Sequence, residues 1–497
     1  MTRVAYRASI FLIAALFTGT ASAQGVKFSD LVGWWSAEPS FAGESSRVLL
    51  HFVDEGEKQS ARLTLADIGA YDIPIGEVVI KGEVVEPQAL SFPLTYEESK
   101  RTLTGVLPAE VVPVYRISAV FTRSEPLEKP AAPVWSAPQP KVKWRTNVGA
   151  PVWAGLEHDT ETDAIFVGTD AGVLHAIDVK GQTRWTFDTA GPIKARPAVI
   201  DDALFVASDS GYLYKLDKRT GKERWRARID AGSPERIPVN QPKSRWDRYG
   251  SSIVADAERV YVGSRDTHVY ALDRATGREQ WRVASKDLIT ATPALYGDLL
   301  VFGSFDGSIQ AVNATDGDPR WRYESQQPIT GDLVVDGDRV LAGGRSYDLI
   351  ALDARTGTER WKHYYWFSWI ESPPVVRDGV IYTGSSDATG VFAIDANTGA
   401  RRWKASVPGY AWARPAVSEK IVVSGTVGQG PHPSSREGAL VGIERVTGKI
   451  VWIHLEPPSA EVVEKKVDWG FAASPIIVGD IAYAADLNGW LYALDTR

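Results

Sequence analysis

From residue 141 onward, short runs of alternating apolar and polar residues recur in a fixed order. Each unit opens on an extended segment that often contains proline, as in "RPAVI" (196–200), "TPALY" (292–296), "RPAVS" (414–418) and "SPIIV" (474–478). A second run follows, as in "LFVASDSG" (204–211) and "LVFGSFDG" (300–307), and then a third, such as "YLYKLD". The third run leads through a Thr-Gly turn into a segment carrying Trp: "KLDKRTGKERW" (215–225), "ALDRATGREQW" (271–281), "ALDARTGTERW" (351–361) and "AIDANTGARRW" (393–403). Period-two alternation broken by turn residues predicts four short strands per unit. The Asp suits a turn because its side chain bonds nearby backbone N–H groups, and glycines such as Gly357 accept positive φ without steric penalty.

The Trp positions count the units: Trp185, Trp225, Trp281, Trp321, Trp361, Trp403 and Trp452, most of them 40–42 residues apart. That is the period of a propeller blade. The last copy, "LYALDTR" (491–497), lacks its Trp strand, while "KVKWRTNVG" (141–149) is a Trp strand with no repeat before it. The expectation is therefore an all-β, eight-bladed propeller over 141–497, closed by an N-terminal strand bearing Trp144. One blade cannot bury both faces, so each packs on its neighbours and closure removes the free ends. The eight repeat tryptophans are predicted to be structural inter-blade wedges, since an indole buries on the order of 150–250 Å².

Residues 24–124 lack the repeat. The runs "RVLLHFV" (47–53), "ARLTLAD" (61–67), "GEVVIKGEVV" (76–85), "RTLTGVL" (101–107) and "YRISAVFTR" (115–123) predict a small antiparallel β domain. Five prolines in 125–140 predict a semi-rigid extended linker in place of a packed element. Residues 1–23 run from basic "MTRVAYR" through apolar "ASIFLIAALFTG" to small residues ending at Ala23, the order of a cleavable signal peptide. The expected location is periplasmic or secreted. No later segment has the roughly 18 uninterrupted apolar residues of a spanning helix.

The full chain of 497 residues carries a formal net charge of −7, and loss of Arg3 and Arg7 with the leader makes it more acidic. An acidic surface argues against nucleic acid as a partner. Cysteine is absent, which excludes disulfides, thiolate metal sites, a lipid-modified N-terminal cysteine and thioether-linked haem.

The pattern G-x-L-Y-A-L-D-x-x-T-G-x-x-x-W resembles the repeat of pyrroloquinoline-quinone-type (quinoprotein-like) propellers. That family includes quinoprotein alcohol dehydrogenases and BamB, the propeller subunit of the bacterial outer-membrane assembly machinery. The resemblance covers about 141–497 and implies the fold, while the same fold serves enzymes and scaffolds alike. For the enzyme branch it implies an adjacent cysteine pair beside the quinone and a calcium held by acidic and amide ligands. This chain has no cysteine, and most of its Asp residues stand in turns. For the assembly branch it implies a lipid anchor on cysteine, again lacking here, and no N-terminal β domain or linker of this kind. No cofactor is expected; quinone with calcium is the alternative.

Segments joining one blade's Trp strand to the next blade's first strand should emerge on one face, around the channel mouth. They are rich in aromatic residues: "SRWDRYGSS" (244–252), "HYYWFSWIESPP" (363–374), "PGYAWARP" (408–415) and "DWGFAASP" (468–475). Such a patch predicts a binding surface. The candidate site is Arg196, Trp246, Tyr249, Asp332, Tyr365, Trp366, Trp369, Glu371, Trp412, Arg414 and Trp469, with the charged members facing the channel to orient a polar or anionic ligand, or else satisfying one another as ion pairs. The leading expectation is a monomeric, non-catalytic binding or scaffold propeller engaging a protein segment or small ligand, in envelope or outer-membrane protein assembly. The alternatives are a quinone-dependent dehydrogenase and a carbohydrate-active or glycan-binding propeller, the latter drawing on His363, Tyr364 and Glu371. No catalytic or metal-ligating spacing stands out. The loops 427–438 and 457–468 are expected to be solvated excursions or partner contacts.

Overall fold

A computed structural model describes residues 25–41, 43–90, 92–107, 115–130, 135–230, 247–325, 327–428, 437–458 and 468–497. The predicted leader, Trp246 and most of the two long loops lie outside them. No helix among the described residues is long and apolar enough to cross a membrane.

The N-terminal domain is an eight-stranded closed barrel. Strands Gly33–Ala37, Ser118–Arg123, Thr102–Val106, Leu94–Glu97, Val84–Pro87, Ala70–Lys81, Gln59–Leu65 and Val48–Asp54 pair in that order, and the last returns to the first. Alternation decides which side chains enter: along Ser118–Arg123, Ala119 and Phe121 point into the core while Val120 and Thr122 face out. Trp35, Phe52, Phe92 and Phe121 are completely buried in an interior filled by side chains, as expected of so narrow a barrel. The run 76–85 is not one strand. Gly82, at φ +65, folds it into a hairpin in which Lys81 pairs with Val84.

The propeller has eight sheets, seven of four strands and one, in blade 7, of five, where Trp469–Gly470 adds to Ile421–Gly428. Numbered along the chain, their innermost strands begin at Glu157, Ala198, Ile253, Ala294, Val334, Val375, Ala416 and Ile476. Blade 8 is completed by Val142–Asn147, which pairs with Trp490–Asp495 and sets Trp144 opposite Ala493. The closure read from the two half-copies is the one observed.

Seven of the repeat tryptophans lie half-buried on an outermost strand and reach across to the glycine of the next blade's turn, a Thr-Gly turn in five cases. A Cβ at Gly357 would stand 2.4 Å from Trp321 Cε3, and Gly181, Gly221, Gly277, Gly317, Gly399 and Gly448 meet Trp144, Trp185, Trp225, Trp281, Trp361 and Trp403 in the same way. The indole N–H adds a bond across the seam, to the carbonyl of Val179 from Trp144 (2.8 Å) and of Ala354 from Trp321 (3.2 Å), for example. So these residues sit between neighbouring blades, packed against the core shared by the two and clasping the next blade's turn. Trp452 alone is buried, packed over Gly442 of its own blade in a cluster with Ala482, Tyr492 and Leu494 of blade 8.

The proline-rich stretch differs from expectation in its second half. Trp135 and Ala137 pack against the core of blades 6 and 7, and the Pro138 carbonyl accepts the Ile453 N–H at 3.0 Å. An outermost strand presents unpaired N–H groups, and proline, which has no donor of its own, still offers a carbonyl. The segment is a packed strap. Trp135→Ala will release it, read as faster hydrogen exchange at the Ile453 amide with the inner strands of blade 7 unchanged; equal protection in both proteins contradicts a clamped strap.

Candidate functional site

Each blade places one residue, one or two positions before its innermost strand, on the axial channel: Gly155, Arg196, Ser252, Thr292, Asp332, Pro373, Arg414 and Ser474. This ring follows from the repeat, because the same backbone path recurs eight times. Hydrogen bonds tie neighbours within it. Ser252 N–H donates to Thr292 Oγ1 (2.9 Å), Thr292 N–H to Asp332 Oδ1 (2.9 Å), and Arg414 N–H to Ser474 Oγ (3.1 Å). The ring, with Lys194, Tyr249, Thr330, Glu371 and Trp412, encloses about 40 Å³. Six of the eleven predicted site residues therefore meet at one place: Arg196, Tyr249, Asp332, Glu371, Trp412 and Arg414.

Most charges there are paired. Arg196 bonds Glu157 at 2.7 Å, Lys194 bonds Asp170 at 2.6 Å, Arg345 bonds Glu371 at 2.8 Å, Arg248 stands 3.4 Å from Asp468, and Arg265 meets Asp247. Arg414 has no ion pair among the described residues. Burial pulls its affinity for the proton below the usual guanidinium value, and Arg196 adds to this, against the opposing pull of Asp332 and Glu157. The expectation of mutual satisfaction thus describes most of the mouth, and Arg414 departs from it.

The aromatic residues do not form an open surface. Trp366, Trp412, Trp469 and Tyr365 are only 6, 3, 8 and 3 % exposed. Two causes account for this. First, the barrel docks against the segment after blade 5. Phe41 and Tyr115 pack on Tyr364 with ring centres 5.3 and 5.4 Å away, and Trp366 and Phe367 join the barrel's core cluster. Tyr115 Oη donates to Asp348, and Arg401 pairs with Glu44 at 3.1 Å on the same interface. Second, Arg248 closes the opposite side. Its guanidinium lies 4.1 Å from the Trp412 ring and 5.9 Å from Trp153; Trp412 stacks on Tyr410 at 4.8 Å, and Tyr249 meets Trp153 edge-on at 6.0 Å while donating to the Ala472 carbonyl. Tyr365 packs into blade 6 against Phe392, and Trp469 lies flat over Gly428. Trp369 stays half-exposed beneath Arg345.

His363, Tyr364 and Glu371 do not converge either. His363 is buried, bonded to the Gly399 carbonyl, and held down to about 4 by desolvation; Tyr364 belongs to the barrel contact; Glu371 is held by Arg345. Sequence reasoning missed Trp153, Thr330, Arg248 and Arg345. Five of the eight ring residues directly precede a proline, so aligning those copies yields most of the ring, whereas aromatic content pointed to segments that the barrel covers.

A sequence profile of the family described as "Outer membrane protein assembly factor BamB" matches residues 132–245, 239–368 and 351–497, which together span the whole propeller. The chain belongs to this BamB-like PQQ-repeat family. Solved structures agree on the fold. BamB from Moraxella catarrhalis is similar over 72 % of this chain and 99 % of its own, with 16 % identity and a TM-score of 0.55. The computationally designed Ika8 protein matches over 72 % and 100 %, at 16 % and 0.56, and the quinohemoprotein alcohol dehydrogenase of Comamonas testosteroni over 72 % and 76 %, at 14 % and 0.54. A designed protein, an assembly factor and an enzyme resembling the chain equally well show its architecture and nothing finer. Among curated proteins none matches.

Two observations bear on a cofactor in this BamB-like propeller. The described residues bring together no group of three or more His, Cys, Asp or Glu that could hold a metal ion. The axial space of about 40 Å³ is also far below the several hundred Å³ typical of a cofactor pocket.

Proposed function

We propose that this BamB-like chain is an exported, non-catalytic scaffold whose channel mouth engages a segment of a partner protein in the bacterial envelope. The observation that carries the reading is the narrow axial ring. It has room for one functional group and none for a whole small-molecule substrate, so whatever enters comes end-on from a larger body lying across the mouth. The paired charges around it give that face a fixed pattern, which favours specificity and registry over deep burial. The leader-like residues 1–23 and the family match support an envelope location.

The test is site-specific photocrosslinking in intact cells, with export checked by an N-terminus at Gln24. A crosslinker at Trp369, on the mouth, will trap a discrete envelope protein, and one at Thr356, in the blade 5 Thr-Gly turn at the other end of the strands, will not. Trapping of equal strength at both positions, or at neither, overturns the reading.

A further inference from the structure

Arg414, Trp412 and Thr330 line the same axial cavity. Arg196, Arg248 and Arg345 each face a carboxylate, whereas Arg414 has none within ion-pair reach. The Trp412 indole Nε1 and the Thr330 Oγ1 are buried with no hydrogen-bond partner. Buried polar groups are nearly always satisfied, so two buried donors without partners, beside an arginine with no ion pair and around one small space, call for an acceptor. Two of the carboxylates nearby are already engaged, Asp332 through Oδ1 with the Thr292 N–H and Glu371 with Arg345.

We propose that the ring binds a carboxylate of a peptide, gripped by Arg414 with Trp412 and Thr330 bonding its remaining lone pairs; this rests on the partner-segment reading above. Three physical matches select that group. A carboxylate is acceptor-only, with about four lone-pair sites, and guanidinium, indole N–H and hydroxyl are all able to donate. It is planar and forms two parallel bonds with an arginine. Its size suits about 40 Å³, a space for about three waters. A cation would face Arg196 and Arg414 together, and a phosphate dianion would bring a second negative charge beside Asp332 and Glu371.

The Trp412 indole signal in a ¹H–¹⁵N spectrum, assigned by its loss in Trp412→Phe, reads occupancy directly. We expect it to move on titration with N-acetyl-glycylglycine and with acetate, and to stay fixed with the C-terminal amide of the same dipeptide. Arg414→Gln will weaken the N-acetyl-glycylglycine response at least tenfold. The proposal is overturned if the amide acts like the acid, if Arg414→Gln binds like wild type, or if inorganic phosphate binds more tightly than acetate. The wild-type acid–amide comparison decides the matter alone should Arg414→Gln fail to fold. A silent carboxylate titration with crosslinking from Trp369 intact removes this proposal only. Carboxylate binding without any crosslinked partner removes the scaffold reading instead.

Discussion

Gly357→Ala will destabilise the propeller by about 3 kcal/mol, and Gly379→Ala by about 1 kcal/mol. Both glycines sit in turns at nearly the same positive φ, +72 and +70. An added methyl group therefore carries the same left-handed backbone penalty at each, of roughly 1–2 kcal/mol. The surroundings differ. At Gly379 nothing lies within 4 Å of the new Cβ, whereas at Gly357 it falls 2.4 Å from Trp321 Cε3. That overlap pushes the indole off the turn and stretches its 3.2 Å bond to the Ala354 carbonyl, an overpacking loss of about 1–3 kcal/mol. Urea unfolding followed by tryptophan fluorescence measures both. In a Trp321→Ala background the penalty at Gly357 should shrink to that at Gly379, because the clash is then gone. Equal losses at the two glycines in the wild-type background refute the clasp.

The barrel will hold the propeller more tightly as pH falls from about 7 to about 4. Asp348 is 1 % exposed beneath Tyr115, and burial raises it from 3.8 to about 7, with the Tyr115 hydrogen bond and Lys362 opposing and Glu359 adding to the rise. Tyr364 faces it as well. The sign follows from proton uptake. Docked, Asp348 is neutral below about 7; undocked and hydrated, it ionises above about 4. Stability from this group is therefore complete below about 4, falls through the interval, and is spent above about 7. At 1.36 kcal/mol per unit the span is about 4 kcal/mol. Asp348→Asn keeps an acceptor for Tyr115 and cannot ionise. It should flatten the pH dependence between 4 and 7 and be the more stable protein at pH 8, measured by thermal unfolding and by amide exchange across residues 348–364. Glu44, raised by burial, and Lys404, lowered by burial, contribute equally to both proteins and cancel in the comparison. Parallel curves for the two proteins would show that the barrel does not shield Asp348.

The architecture was legible because it is repetitive. Asp, Thr-Gly and Trp recur with their spacing intact, and the half-copies around Trp144 and Leu491 announced the ring and its closure. Local pattern also found the barrel strands, apart from the hairpin hidden at Gly82, where one glycine in an unbroken apolar run reads as part of a strand. The site was harder. Arg196, Asp332 and Arg414 stood out because they are charged where neighbouring copies have Ser, Thr or Gly, and position in a repeat survives folding. Trp366 and Tyr364 misled because a sequence shows that an aromatic patch needs covering without showing what covers it. Here the cover is the chain's own first domain, contributing Phe41 and Tyr115. Arg248 escaped notice because a lone arginine between two tryptophans gains its meaning only when the rings close around it.

The strand that finishes blade 8 has a temporal consequence. Val142–Asn147 is synthesised roughly 350 residues before its partner Trp490–Asp495, so the circle remains open until the ribosome has read the codons of that partner strand. Contacts so distant in sequence form late and slowly. During that interval an unpaired edge and a row of half-built modules need protection from self-association, which makes chaperone dependence during biogenesis the natural companion of this topology.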